Sequence, residues 1–152
     1  MSATVFASTA ELRAAVGQSL GPTEWLLVDQ ARVNLFAEAA GDHQWIHVDE
    51  ERAKSGPFGG TIAHGYLTLA LSSNFMPQLI RVENISMGIN YGVNKVRFPA
   101  PVRTGSRLRA RGKIASVEEV KGGVQVGLAL TLEVEGQDKP ACVIESLSRY
   151  LD

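Results

Sequence analysis

Hydrophobic positions along the chain follow two different periods. Up to about residue 80 they recur at helical spacing between glycine- and proline-marked breaks, and from Ile85 onward they alternate with polar ones. The alternation is clearest in Val124, Val126, Leu128, Leu130, Leu132 and Val134, with Gln125, Gly127, Ala129, Thr131, Glu133 and Glu135 between them. A pleated strand sends successive side chains to opposite faces, so this run predicts a long half-buried strand. Residues 105–114 also alternate, with Arg107, Arg109, Arg111 and Lys113 on one face and Leu108, Ala110 and Ile114 opposite. Residues 85–98 and 141–151 complete four long strands. Turn signals separate them: Pro99-Ala100-Pro101, Gly122-Gly123 and Gly136-Gln137-Asp138. Short connections between consecutive strands predict an antiparallel sheet.

The first half reads as helices. Ser8-Thr9-Ala10-Glu11 has the spacing of a capping box and predicts a helix over 9–16, closed by Gly17 and Gly21-Pro22. A short strand is expected within 24–28. Asp29 can cap a second helix whose apolar face is Val33, Leu35, Phe36, Ala37, Ala39 and Ala40, with Gly41 as its stop. Residues 41–48 then read as a loop, 49–55 as a short helix capped by Asp49, and 55–60 as a second loop. The next helix, 64–76, is apolar almost all round: Tyr66, Leu67, Leu69, Ala70, Leu71, Phe75 and Met76. A helix hydrophobic on every side is expected to be enclosed by protein, and Pro77 to limit its extension. One buried helix and one long antiparallel sheet wrapped around it make an α+β arrangement.

Composition narrows the function. The length of 152 residues fits a single domain over 1–152, with 1–20 as a helical extension. Fifteen Lys plus Arg against sixteen Asp plus Glu leave a net charge of -1, so nucleic acid is not an expected partner. The lone Cys142 excludes an internal disulfide and a Cys-rich zinc module. No run reaches the roughly 20 apolar residues that span a bilayer, and the first ten residues hold no Lys or Arg ahead of their apolar patch. A cytoplasmic location is the expectation, with no membrane partner.

The histidines are His43, His47 and His64, two of them in the segment Gly41 to Asp49. A carboxylate and an imidazole five apart, Asp42 and His47, can point into one cleft, hold a water and exchange protons with a substrate. The plainer alternative is a turn carboxylate with a packed imidazole beneath it. His43 and His47 are four apart, but the zinc motif they suggest needs a helix and a Glu after the first His, where this chain has Gln44. No metal is expected. Gly56-Pro57-Phe58-Gly59-Gly60 lacks the nucleotide-loop codes. It leads into Thr61-Ile62-Ala63-His64-Gly65, where free N–H groups at a helix start can stabilise an oxyanion and Gly65 lets a carbonyl approach. His64 reads as a cap or packed core group rather than a catalyst. Ser72, Ser73 and Asn74 interrupt the buried helix and need partners, either Asp42 or the backbone. Between Asn84 and Val117 stand Lys95, Arg97, Arg103, Arg107, Arg109, Arg111 and Lys113, with no acidic residue. That run is either a solvated strand face or a patch for a small phosphorylated ligand.

The segment Phe36 to Asp49, containing Asp42-x4-His47, followed by Gly59-Gly60-Thr61-Ile62-Ala63-His64-Gly65-Tyr66-Leu67, resembles the MaoC-type dehydratases. These include the (R)-specific enoyl-CoA hydratases and a nodulation protein N-like branch, which residues 89–102 also resemble. The likeness covers about residues 25–150 and implies a hotdog fold, a homodimer with active sites near its interface, and no cofactor beyond the CoA carried by the substrate. Carried over by position, it implies Asp42 and His47 as the catalytic pair and the Gly65 N–H as oxyanion donor, with Ser73 supporting the aspartate. Many members carry Asn-Pro where this chain has Gln44-Trp45, so Trp45 is expected to alter the loop and the wall of the acyl pocket. The implied activity is hydration of a trans-2-enoyl-CoA to a (3R)-3-hydroxyacyl-CoA, with Arg97 and its basic neighbours meeting CoA phosphates. A hotdog thioesterase and a non-catalytic thioester-binding subunit are the rivals.

Overall fold

A computed structural model describes residues 2–152. In chain order the elements are β1 (Thr4–Phe6), α1 (Thr9–Arg13), β2 (Ser19–Leu20), β3 (Leu26–Val28), α2 (Gln30–Ala40), α3 (Trp45–Val48), α4 (Glu50–Lys54), α5 (Gly65–Ala70) and α6 (Ser72–Leu79). After these come β4 (Ile80–Val82), β5 (Met87–Arg97), β6 (Ser106–Val120), β7 (Gly123–Val134) and β8 (Cys142–Leu151). The four long strands fall where the alternation places them, although β6 continues six residues past 114.

The main sheet is antiparallel and runs β6–β7–β8–β5, with β2 and β3 both pairing to the outer side of β6. A second, parallel pair joins β1 to β4. The side chains of Val124, Val126, Leu128, Leu130, Leu132 and Val134 are buried, as the period-two pattern requires. They pack with Leu67, Leu71, Phe75 and Leu79 of the central helix, which recur every four residues and so form one stripe. This is the hotdog arrangement, a long sheet curved around one helix. The amino-terminal segment joins the same core through Phe6, Leu12, Ala15 and Leu20.

Three expectations need correction. First, β5 and β6 are consecutive but not adjacent; β5 lies at the far edge, beside β8. Their connection holds Pro99 and Pro101, which cannot donate to a ladder. It crosses below the helix start instead, where Ala63 N–H bonds Val102 O (2.8 Å) and Thr104 N–H bonds Thr61 O (3.0 Å). Second, the central helix is buried on one face only. Tyr66 is 74% exposed and Ser73 and Asn74 lie outside, because one sheet covers one face. Third, Pro77 sits inside α6 and the helix runs on to Leu79. A proline removes one donor, and burial of Phe75 and Leu79 holds the turns on either side. Among the described residues no helix is long and apolar enough to cross a membrane.

Candidate active site

The site begins at the end of α2. The Asp29 side chain caps this helix by accepting from Arg32 N–H (2.9 Å), and Val33 and Ala37 bury its inner face. Gly41 ends it in the left-handed region, φ 77° and ψ 13°, with its N–H bonded to Ala37 O at 2.8 Å. A side chain would be strained there, so glycine permits the turn. The chain then enters Asp42, whose Oδ1 accepts Gln44 N–H at 3.3 Å. The expected loop over 41–48 is interrupted at this point. Trp45–Val48 forms one helical turn, and that turn delivers His47 inward.

His47 is held from several sides. Its N–H bonds Gln44 O (3.0 Å) and its carbonyl accepts from Gln30 Nε2 (2.8 Å). Its ring Nδ1–H donates to Ile62 O at 2.7 Å. The acceptor there is a carbonyl, so Nδ1 carries the proton and Nε2 keeps a lone pair. Ile62 is itself fixed, its N–H bonding Ile46 O (3.0 Å). The Thr61 hydroxyl bonds Gln30 Oε1 and the Thr104 hydroxyl, each at 2.6 Å. Burial is the main cause that holds the His47 pKa below the ordinary 6.5, with His64 adding to it. The bond to Ile62 O and the Asp42 carboxylate pull the other way without cancelling the shift.

His64 completes the corner. Its ring stacks on that of His47, with centroids 3.9 Å apart and an interplanar angle of 22°, and Phe36 lies 4.9 Å away on tilted planes. Its Nε2–H donates to the Asp42 carbonyl at 3.0 Å. One nitrogen or oxygen each from Asp42, His47 and His64 lies within 4.8 Å of the others. The set is a poor metal centre despite its composition. An imidazole binds an ion in its own ring plane, and two stacked, nearly parallel planes share no point close to both rings. The cluster is better suited to a small neutral guest that donates protons to Asp42 and to His47 Nε2.

Gly65 follows His64 directly as the first residue of α5, so its N–H has no acceptor within the helix. The Phe98 ring packs over it. A Cβ placed at Gly65 would meet ring carbons of Phe98 at 3.2–3.4 Å. Beside it opens a cleft of about 270 Å³ lined by Ile62, Ala63, Gly65, Thr68, Phe98 and Val102. A second cleft of about 230 Å³ lies further along the helix, between Leu69, Ser73, Met76, Asn90 and Val93.

The structure therefore brings Asp42 and His47 together with His64, the residue before Gly65, and leaves the other candidates elsewhere. Ser73 lines the second cleft, away from the Asp42 carboxylate. Arg97 is exposed at the end of β5, one residue before Phe98, and donates to its own neighbour's carbonyl, Val96 O, at 2.8 Å. His43 is exposed and 3.8 Å from Glu38. Asp49 caps α4. Trp45 packs on Gly56 with Arg52 over its ring (4.2 Å), and it lines neither cleft. The glycine loop closes around Arg103, whose Nη1 donates to Phe58 O at 2.9 Å and whose guanidinium occupies the space beside Gly60. Three of the seven residues of the basic run are neutralised on the strand face. Arg109 and Arg111 both bond Glu133 (2.7 Å each), and Arg107 bonds Glu135. Cross-strand register pairs Arg109 with Glu133, a fact the local sequence does not display.

Gln30, Thr61 and Phe98 carry no signal in the sequence, since each acts through a partner distant in the chain. Only His64 gives one, as a third histidine next to the helix-opening glycine.

The chain is similar to known proteins in sequence and in fold. The MaoC like domain family matches residues 11–135. A 3-hydroxyacyl-thioester dehydratase Z of Mycobacterium tuberculosis is 54% identical over 147 residues, 96% of this chain and 97% of that one. Nodulation protein N of Rhizobium meliloti is 46% identical over 140 residues, covering 88% and 85%. The solved structure of R-hydratase PhaJ1 from Pseudomonas aeruginosa in the unliganded form superposes with a TM-score of 0.77. It spans 95% of this chain and 86% of that one at 24% identity, a likeness of fold.

Proposed function

The chain belongs to the MaoC-like dehydratase family, and on that basis we propose that it interconverts a trans-2-enoyl-CoA and a (3R)-3-hydroxyacyl-CoA. The single observation that carries the reading is the convergence of the Asp42 carboxylate with His47, whose Nε2 has a free lone pair, and with His64, the residue before the helix-opening N–H of Gly65. Two acceptors can take both O–H bonds of one water and leave its oxygen lone pair facing C3. Attack at C3 breaks one O–H bond, and its proton passes to Asp42 or His47. Negative charge then builds on the thioester oxygen, where the Gly65 N–H stabilises it. A proton returned to C2 on the same face completes the addition, so one water is consumed and no net charge is left. Either member of the pair can make these proton transfers.

The acyl chain is assigned to the helix face that carries Gly65, Leu69 and Ser73 at intervals of four, leading from the first cleft to the second. Arg97 is the residue of the basic run proposed for a CoA phosphate: Arg107, Arg109 and Arg111 have carboxylate partners, and Arg97 stands exposed one residue before Phe98, which lines the cleft at Gly65. A second copy of the chain is proposed at the outer edge of β5. Met87, Ile89, Tyr91 and Val93 stand exposed there beside main-chain groups with no neighbouring strand. Sedimentation of the protein and of Ile89→Asp tests that part: a dimer that dissociates in the variant supports it, and a wild-type monomer rejects it.

The reaction is tested with crotonyl-CoA, by the loss of the enoyl-thioester absorbance with chiral analysis of the product. Rapid loss giving the (3R) product, reduced in Asp42→Asn, is the expected result. Release of free thiol without hydration would assign a thioesterase, and binding without turnover a thioester-binding subunit.

A further inference from the structure

We infer that His64 is a positioning residue that sets the relative placement of Asp42 and His47. The inference rests on the proposed hydration and adds to it a third side chain that neither abstracts nor delivers a proton.

A histidine at the residue before a helix is ordinarily a cap or a filler. His64 is neither. Its side chain makes no capping hydrogen bond, although it occupies the cap position of α5. It is 2% exposed, and its Nδ1 is the one buried side-chain nitrogen or oxygen among the described residues with no partner. A leucine or phenylalanine would fill the same volume without burying an unbonded acceptor. The features that distinguish His64 all act on the reacting groups. Its Nε2–H ties down the carbonyl of Asp42, an exposed residue in a short turn that is otherwise steadied by the bond from Gln44 N–H to its Oδ1. Its ring face lies on His47. Its own peptide bond continues into the Gly65 N–H. One residue thus touches the carboxylate's backbone, the imidazole and the helix start, which come from a turn and two separate helices.

The two reacting groups depend on it unequally. His47 is held independently by Ile62 O at its ring and by Gln30 at its carbonyl, so it should keep its place without His64. Asp42 should not. The predicted defect is misplacement of the carboxylate relative to His47, and a displacement near 1 Å is enough to slow a reaction by on the order of 10²-fold.

The lengths of side-chain amides allow a specific test. The amide nitrogen of glutamine reaches the position of Nε2 and can donate to Asp42 O, whereas that of asparagine reaches only as far as Nδ1. Phenylalanine keeps the ring face and loses the donor. Steady-state hydration of crotonyl-CoA is measured for His64→Gln, His64→Asn and His64→Phe, with thermal unfolding of each. The expected result is a kcat loss on the order of 10- to 100-fold in the Asn and Phe variants, little change in KM, and recovery of most of the rate in Gln. Wild-type kcat in folded His64→Phe would overturn the inference. So would equal losses in all three with KM rising in parallel, the mark of general loosening. If His64→Phe does not fold, the Gln and Asn pair decides by the same criterion. Full activity in both Asp42→Asn and His47→Gln would reject the underlying reaction and not this positioning role specifically.

Discussion

Two separate clusters of ionisable side chains stand on this sheet-and-helix body, and they behave differently. On the outer face of β6 and β7, Arg107, Arg109 and Arg111 meet Glu133 and Glu135, with Trp25 under the Arg109 guanidinium at 4.4 Å. Each of these three cations has a carboxylate within bonding distance. At the amino-terminal end of the central helix, Asp42, His47 and His64 converge, each side chain bonded to a backbone group and not to an opposite charge, and two of the three are buried. The first cluster is dense in charge and mutually satisfied. The second is sparse and retains lone pairs with no protein group to bond. Reactive capacity follows unsatisfied, oriented valence and not the number of charges, because a paired ion has already given up its interaction energy.

The largest test of this contrast is substitution at the sparse cluster. Asp42→Asn and His47→Gln should each lower the hydration rate by on the order of 10²–10⁴, the range for loss of a general acid or base. Glu133→Gln should leave kcat and KM for the same substrate unchanged. Turnover of crotonyl-CoA by the three variants decides it.

Acid should separate the two regions next. Burial holds the His47 pKa below 6.5, so Nε2 keeps its lone pair at neutral pH. As pH falls through the folded value, protonation removes that acceptor. The log of kcat/KM should then drop with a slope near one, about tenfold per pH unit, with its midpoint below 6.5. The sign for stability is the same. The unfolded chain binds this proton more readily, so the contribution is complete above 6.5 and is lost as pH falls through the folded pKa. Glu133 fails later. Burial alone would raise its pKa, but the bonds from Arg109 and Arg111 bring it below 4.5. Its contribution persists at pH values above 4.5 and disappears only as pH falls through that lower folded value. A pH series of activity and of thermal unfolding would show activity leaving first.

Arg97→Glu comes next in size. It should raise KM for crotonyl-CoA by a few-fold with little change in kcat, the pattern of lost ground-state binding. Arg109→Glu should not, since the guanidinium it removes is already engaged by Glu133. The smallest effect belongs to the outer face. Glu133→Gln should cost no more than about 1 kcal/mol in a urea titration, as partly exposed pairs do, and the loss should shrink in high salt.

Legibility in the sequence tracks the distance over which each feature is determined. The four long strands are readable because alternation is a local property of the backbone. Asp29, Gly41 and Asp49 are readable as helix ends for the same reason. The Asp42–His47 spacing is visible, but it leaves open whether the pair meets in space, and it does not reveal the helical turn at Trp45–Val48 that aims His47. That turn is only four residues long and has no period to detect. The exposed side of the central helix reads wrongly as buried because a residue such as Tyr66 looks the same in sequence whether a sheet or solvent faces it. The charge run is ambiguous until strand register pairs its arginines with β7.

Element types, turn positions, the two-part Asp-x4-His and His-Gly pattern and the family are all carried by the amino-acid order alone. They depend on side-chain chemistry and on spacings of a few residues, both of which are written along the chain. Folding in three dimensions was needed to send β5 away from its neighbour to the far edge, to lay Phe98 over Gly65, to let Ile62 O set the His47 tautomer and to stack His64 beneath it. Each of these joins residues 15 or more apart or sets the angle between two rings. Such contacts arise from packing of the whole chain, where burial, register and hydrogen-bond satisfaction are resolved together.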